Sequence, residues 1–434
     1  MDEKMNSLSF LEDRNFLKLK NHYVGHPIAI YTGAGVSRSN ENSDTPEYGL
    51  AGWEGLLKEV FKSSPKTSLV SIEEFEKKSK ENSEEPWKLA DWVLNQVGGE
   101  DEFNKLVTMY VQRKQNFPER RKKPGPKKKY KQLGGTFLGR APTLNALCAF
   151  CTQLTSRVDG TKAVTYNVEP NPRVRNVLTT NYDPFLEAAS STMYIRHRLK
   201  PVGRKGSTSG KLDQIPVYHI HGYVPYPKLS QRKNYIPPIV DPVLTAKDYE
   251  NAWKEDPYSF TMGTQIHILR HYSVLFVGFS FRDEKVNDLL FKLNGERKGR
   301  KKRLYHYALM KQNDIDDRKV VKGEKFFDEI GVNPIKIKSY DQIPFVLKQL
   351  YISGLIKDHN GKRISLPVVP KARVNKKDKE KSKQVIHQIS KSKKLNEVVI
   401  KADDYWDHLI KCRNRSIHLK QKKKQVLDNQ DNEN

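Results

Sequence analysis

Six short apolar runs punctuate the chain, each closing on turn or polar residues. They are residues 27–31 (PIAIY), 174–178 (VRNVL), 217–220 (VYHI), 274–277 (VLFV), 304–310 (LYHYALM) and 334–337 (PIKI). Runs of this length without alternation predict strands covered on both faces, as in a parallel sheet. Helical spacing fills the intervals. Trp53, Leu56, Leu57, Val60 and Phe61 share one helix face, as do Phe103, Leu106, Val107, Tyr110 and Val111. The spacing predicts further helices over 144–154 and over 340–356. Strands alternating with helices predict an α/β fold with a helix-covered parallel sheet. After about residue 358 this pattern stops. Residues 371–396 are rich in Lys and Ser and read as a linker-like tail. Val399, Ala402, Trp406 and Ile410 then recur at helical spacing, which predicts one helix near 396–413.

The composition narrows the class. A chain of 434 residues is ample for a buried core. Three cysteines cannot form a disulfide scaffold, which suggests a reducing compartment. No run approaches the roughly 18 apolar residues of a membrane helix, and the N-terminal MDEKMNSLSF lacks the basic start and apolar stretch of a signal peptide. The expectation is a soluble cytoplasmic protein with no membrane contact. The formal net charge of +27 suggests nucleic acid as a partner. Its distribution changes that picture. Segment 113–131 carries +9 and segment 371–434 carries another +9, so two thirds of the excess lies in a Pro-containing loop and a tail.

Four turns at strand ends carry the candidate chemistry. Gly33-Ala34-Gly35-Val36-Ser37 follows the first strand, where a glycine turn and a helix start let backbone N–H groups approach a diphosphate. The full GxGxxG spacing of common dehydrogenases is absent, which counts against hydride transfer. Thr179-Thr180-Asn181-Tyr182-Asp183 follows the second run. The Asn181 amide can donate and accept, as a ribose hydroxyl or a water requires. Asp183 reads equally well as a helix N-cap, because Pro184 then takes the first helical position. His219-Ile220-His221-Gly222 ends the third run. His221 stands where a general base near neutral pH could act, and His219 reads as structural. Gly278-Phe279-Ser280-Phe281-Arg282-Asp283 ends the fourth, with Ser280 available to phosphate or ribose and Asp283 to cap the next helix.

Taken together and in this order, GAGVS, TTNYD, HIHG and GFSFRD resemble the sirtuin fold. They are most similar to the bacterial sirtuin-like NADases of antiphage defence. The resemblance covers residues 20–357. It implies a Rossmann-like parallel sheet sandwiched by helices and a helical subdomain over about 65–160 that includes basic loop 113–131; the basic C-terminal tail over 358–434 lies outside the resemblance. It implies NAD+ as substrate, held between sheet and subdomain. Gly33, Ala34, Gly35 and Ser37 would cradle the diphosphate. Asn181 would hold the nicotinamide ribose and the attacking water, and Thr180 beside it would belong to the NAD-binding set. Asp183 would face the nicotinamide amide, His221 would act on the ribose hydroxyls, and Gly278 and Ser280 would meet the adenosine half. Asp283 is typical of the defence branch.

The departures from protein-deacylating sirtuins carry information of their own. The Pro-Asp-Phe-Arg stretch that follows GAG in those enzymes is absent, and Trp53 stands where the defence branch often has an aromatic. The four-cysteine zinc ribbon is absent too. Cys148 and Cys151 form C-x-x-C inside an apolar helix, and Cys412 is the third thiol. Core packing is the expected role of the first two, and no metal is expected. Water is thus the expected acceptor of ADP-ribose. The resemblance also implies regulation by a homo-oligomer or by a partner such as a HerA-type ATPase, and the charge of segments 113–131 and 371–434 separately makes nucleic acid a candidate partner for them. Three alternatives stand beside this reading: a catalytically weak nucleotide-binding module in a nucleic-acid complex, an NAD-dependent deacylase and a signalling-nucleotide receptor.

Overall fold

The computed structural model describes residues 9–37, 52–82, 85–114, 142–158, 164–171, 173–187, 199–203, 214–225, 239–240, 242–253, 259–297, 304–360 and 365–366. Basic residues 115–131, the helix expected near 396–413 and Cys412 lie outside the described residues.

The six apolar runs become strands β1 (Ile28–Thr32), β4 (Val174–Thr179), β6 (Ile215–His219), β7 (Ser273–Val277), β8 (His306–Lys311) and β9 (Val332–Ile337). A further strand, β5 (Leu199–Val202), joins them at one edge. All seven are parallel, in the order β5-β6-β4-β1-β7-β8-β9. β1 shows why its sequence is continuously apolar. Ile28 and Ile30 face one core, with Phe16, Leu147 and Leu350. Ala29 and Tyr31 face the other, with Phe276, Phe281 and Leu290. The molecule is an α/β, Rossmann-like sheet flanked by helices.

Helices α1 (Arg14–Gly25), α2 (Trp53–Ser63), α3 (Ile72–Glu81), α4 (Pro86–Val97), α5 (Glu100–Lys114) and α6 (Pro142–Cys151) precede most of the sheet. They are followed by α7 (Ala246–Ala252), α8 (Phe260–His271), α9 (Glu284–Gly295), α10 (Gln312–Lys322), α11 (Phe326–Glu329) and α12 (Ile343–Asn360). Side-chain caps fix several starts: Asp13 accepts from the amides of Asn15 and Phe16, and Thr245 and Asp248 form a reciprocal capping box. α6 and α12 pack together on one face of the sheet. Among the described residues no helix is long and apolar enough to cross a membrane.

Helices α2 to α5 share a separate core built on Leu57, Val60, Phe61, Phe75, Val93 and Val107. Tyr182, Val224 and Leu244, from loops at the sheet's carboxyl edge, complete it. Each such fully buried side chain contributes about 1.5–3 kcal/mol, so the helical layer holds those loops firmly. The layer begins at Trp53, not at residue 65. α6 belongs instead to the sheet core and ends at Cys151, short of the expected residue 154.

The chain then changes to β2 (Thr152–Val158) and β3 (Val164–Pro170), an antiparallel pair joined by β10 (Ser365–Leu366). Thr and Val in TQLTSRV favour strand over helix once the apolar stripe of α6 ends. The expectation that sheet pairing stops after residue 358 is corrected by β10.

Candidate functional site

The strand order reverses around β1, whose neighbours β4 and β7 lead to opposite halves of the sheet. Open α/β sheets bind ligands at such a switch point, beyond the carboxyl ends of the strands. All four sequence turns lie there, directly after β1, β4, β6 and β7.

The turns after β1 and β7 dock backbone to backbone. Gly33 donates its N–H to Val277 O at 3.1 Å, and Gly35 donates to Gly278 O at 3.0 Å. A Cβ on Gly33 would lie 2.5 Å from Gly278 O, and one on Gly35 would lie 2.8 Å from Gly278 Cα. The amides of Val36 and Ser37 donate to Gly33 O and Ala34 O. Four of the five amides in this turn are therefore bonded to backbone carbonyls. The glycines meet the β7 turn before they meet any ligand, a role the sequence pattern did not disclose.

Asn181 is held from several directions. Its Nδ2 donates to Gly33 O and to Ser37 Oγ, both at 3.1 Å, and its backbone N donates to Thr179 Oγ1 at 3.0 Å. Ser37 Oγ in turn donates to Asp183 Oδ2 at 2.8 Å. Asp183 Oδ1 accepts from the Phe185 amide at 3.1 Å. Asp183 therefore does act as a cap, and also belongs to the polar cluster. Burial pushes its carboxyl up to about 6, against the lowering effect of the Ser37 and Phe185 hydrogen bonds. Both amide hydrogens of Asn181 have protein partners, which leaves Oδ1 as its acceptor.

His219 and His221 separate because β6 ends at His219. His219 Nδ1 lies 3.0 Å from Asn181 O, and Nε2 lies 2.7 Å from Glu187 Oε1. His221 turns the other way. Its Nε2 stands 3.7 Å from Asp283 Oδ2 without a hydrogen-bond partner among the described residues, and its ring sits edge-on to Tyr249 at 5.2 Å. Burial lowers its pKa to about 3, so the ring is neutral at pH 7. Asp283 Oδ1 caps α9 through the Val286 amide at 3.3 Å. Burial pushes Asp283 up to about 6, offset by its backbone donors and by Tyr249.

The β7 turn holds Gly278 at φ +63° and Phe281, unusually for a residue with a side chain, at φ +54°. Phe281 is fully buried against Phe276 and Phe279. Ser280 is exposed and Thr180 half-buried, and neither joins the polar cluster. Trp53 packs on Tyr182 with ring centroids 5.7 Å apart, so α2 closes over the β4 turn. Cys148 and Cys151 are buried in the sheet core, as expected, with Cys148 Sγ donating to Leu186 O. Among the described residues, no three His, Cys, Asp or Glu side chains converge as a metal-holding group.

Two groups escaped the sequence reading. Glu187 follows Asp183 by four residues, which places it on the same side of the short helical turn. The available signal was an acid inside the apolar stretch PFLEAA. Tyr249, beside His221, had no local signature.

Residues 175–335 match the family model of the SIR2-like domain. Over this segment the chain is similar to SIR2-like domains. That match spans β4 to β9 and contains three of the four turns, with β1 and its glycine turn lying before it. SIR2-like domains point to NAD-dependent chemistry, and the sirtuin-like family anticipated from the four turns is thereby met. No curated protein matches the chain.

Proposed function

We propose that this SIR2-like domain hydrolyses the nicotinamide–ribose bond of NAD+, giving nicotinamide, ADP-ribose and a proton. The observation that carries the reading is the Asn181 amide. With both N–H groups donated to Gly33 and Ser37, its Oδ1 is left to orient a water or a ribose hydroxyl at the strand ends. The C1′–N bond breaks with its electron pair on the nicotinamide nitrogen, and water oxygen bonds to C1′. The proton released from water passes to His221, directly or through a ribose hydroxyl. A neutral imidazole is needed for that, and burial keeps His221 neutral. The ionised Asp283 carboxylate, 3.7 Å away, then favours the protonated ring.

The proposed biological setting is antiphage defence by NAD+ depletion, an abortive-infection response in the cytoplasm. Regulation falls to a homo-oligomer or to a partner such as a HerA-type ATPase, and the basic segments are candidate contacts for that partner or for nucleic acid.

Chromatographic assay of purified protein with NAD+ should show nicotinamide and ADP-ribose in equal amounts, without added acetylated peptide. His221→Ala should lower the rate by about 10²–10⁴-fold. Turnover that requires an acetylated peptide would replace hydrolysis by deacylation.

The pH profile provides a second test. Asp183 and Asp283 are both held at about 6 and act as carboxylates, so activity should fall as pH drops through about 6. His221 titrates near 3 and adds no limb at the usual histidine value. If Asp183→Asn and Asp283→Asn both keep activity and the acid limb stays unmoved, neither carboxylate is its source.

A further inference from the structure

Glu187 and His219 form a buried ion-pair geometry that the hydrolytic scheme does not use. Their side chains are 7 % and 1 % exposed, and Nε2 and Oε1 are 2.7 Å apart. Neither residue belongs to the four turn motifs as ligand-facing groups. Both line the same pocket as Ser37, Asn181 and Asp183.

The hydrogen-bond inventory fixes the protons. Asn181 O is a carbonyl and can only accept, so His219 Nδ1 carries hydrogen. A second proton lies between Nε2 and Glu187 Oε1, whichever atom holds it. The pair is thus neutral overall and its hydrogen bond to Asn181 O is directed. Burial alone would pull the His219 ring down. The Glu187 charge and hydrogen bond, with Asn181 O and Asp183, outweigh it and hold the ring above its ordinary value. Among the described residues Glu187 Oε2 is buried without a hydrogen-bond partner. An acid left half-satisfied in a core is costly, so the pair is kept at a cost in stability.

We propose that the Glu187–His219 pair positions Asn181, holding its main-chain carbonyl from the pocket side while Ser37 and Gly33 hold its side-chain amide. Asn181 is then fixed at both ends, and Oδ1 is aimed by two independent sets of contacts. Neither Glu187 nor His219 touches the reacting atoms in this arrangement. They are positioning residues for Asn181, an inference that rests on the NAD-hydrolysing reading for its kinetic arm alone.

The test uses the full chain and the variants Glu187→Ala and Glu187→Gln. The glutamine variant keeps the geometry, because its side-chain amide can donate to Nε2 of a neutral His219 that still donates through Nδ1. Glu187→Ala should lower kcat for nicotinamide release by about 10–100-fold, the usual cost of losing a supporting partner, with KM within about threefold. Glu187→Gln should restore kcat to within about fivefold of wild type. Amide hydrogen exchange followed by mass spectrometry gives a readout independent of turnover. Exchange in residues 179–187 should quicken about tenfold or more in Glu187→Ala and stay near wild type in Glu187→Gln, with β8 and β9 unchanged.

Equal kcat in wild type and Glu187→Ala overturns the proposal. So does faster exchange spread evenly over the whole sheet, which marks a general loss of stability. If wild type releases no nicotinamide, the hydrolase reading fails by itself, and exchange at residues 179–187 still decides whether the pair holds this turn.

Discussion

Asn181→Ala should reduce nicotinamide release by about 10²–10³-fold, the loss typical of removing one preorganised polar group from a reaction centre. The substitution removes Oδ1, the acceptor left after Nδ2 has donated to Gly33 O and Ser37 Oγ. It also frees Ser37, whose hydroxyl otherwise links Asn181 to Asp183. Asn181→Asp sharpens the test. A carboxylate retains an outward acceptor, yet turns its second oxygen against Gly33 O, where two acceptors meet without a proton. If orientation by donation is what matters, Asn181→Asp is nearly as inactive as Asn181→Ala. The measurement is initial-rate nicotinamide release, with thermal unfolding run in parallel to confirm that each variant is folded. A rate within about threefold of wild type in Asn181→Ala removes the residue from the mechanism.

The strands that bear the site were legible because burial on two faces leaves little room for polar positions. β1 and β7 are entirely buried, and apart from Thr32 and Ser273 at their ends their sequences are unbroken apolar runs. Edge strand β5 was not legible. Its four residues LKPV contain two half-buried positions and a proline, and so carry neither alternation nor a continuous run. The β2–β3 pair was hidden behind an apolar helix that ends one residue before β2 begins.

At the site, the pattern located the four turns but left part of their physics undisclosed. A glycine in a strand-end turn signals close approach, and the sequence cannot say to what. Here Gly33 and Gly35 approach another turn of the same chain. The two histidines of HIHG look alike as letters. Their environments diverge because the strand ends between them, and only tertiary packing brings Glu187 to one and Tyr249 and Asp283 to the other.

Gly278→Ala should destabilise the domain by roughly 2–5 kcal/mol and suppress NAD cleavage with it. Two costs add at this position. The residue sits at φ +63°, a conformation that costs a residue with a side chain about 1–2 kcal/mol. Its new Cβ would also lie 2.6 Å from Val36 N and 2.9 Å from Gly35 C. Both neighbours are backbone in a turn fixed by its own hydrogen bonds, so rotamer change cannot relieve the contact. Overpacking of this kind costs about 1–3 kcal/mol. The strain can be relieved by parting the β1 and β7 turns, which breaks the Gly35–Gly278 hydrogen bond and moves Gly33 O away from Asn181 Nδ2. Gly295→Ala is the matched control, since it ends α9 at an ordinary φ with open space around the new methyl. It should leave unfolding unchanged or slightly raised, because alanine favours helix over glycine. Denaturant unfolding of the two variants beside wild type measures the difference, and equal midpoints for both would show that the two turns are not locked together through Gly278.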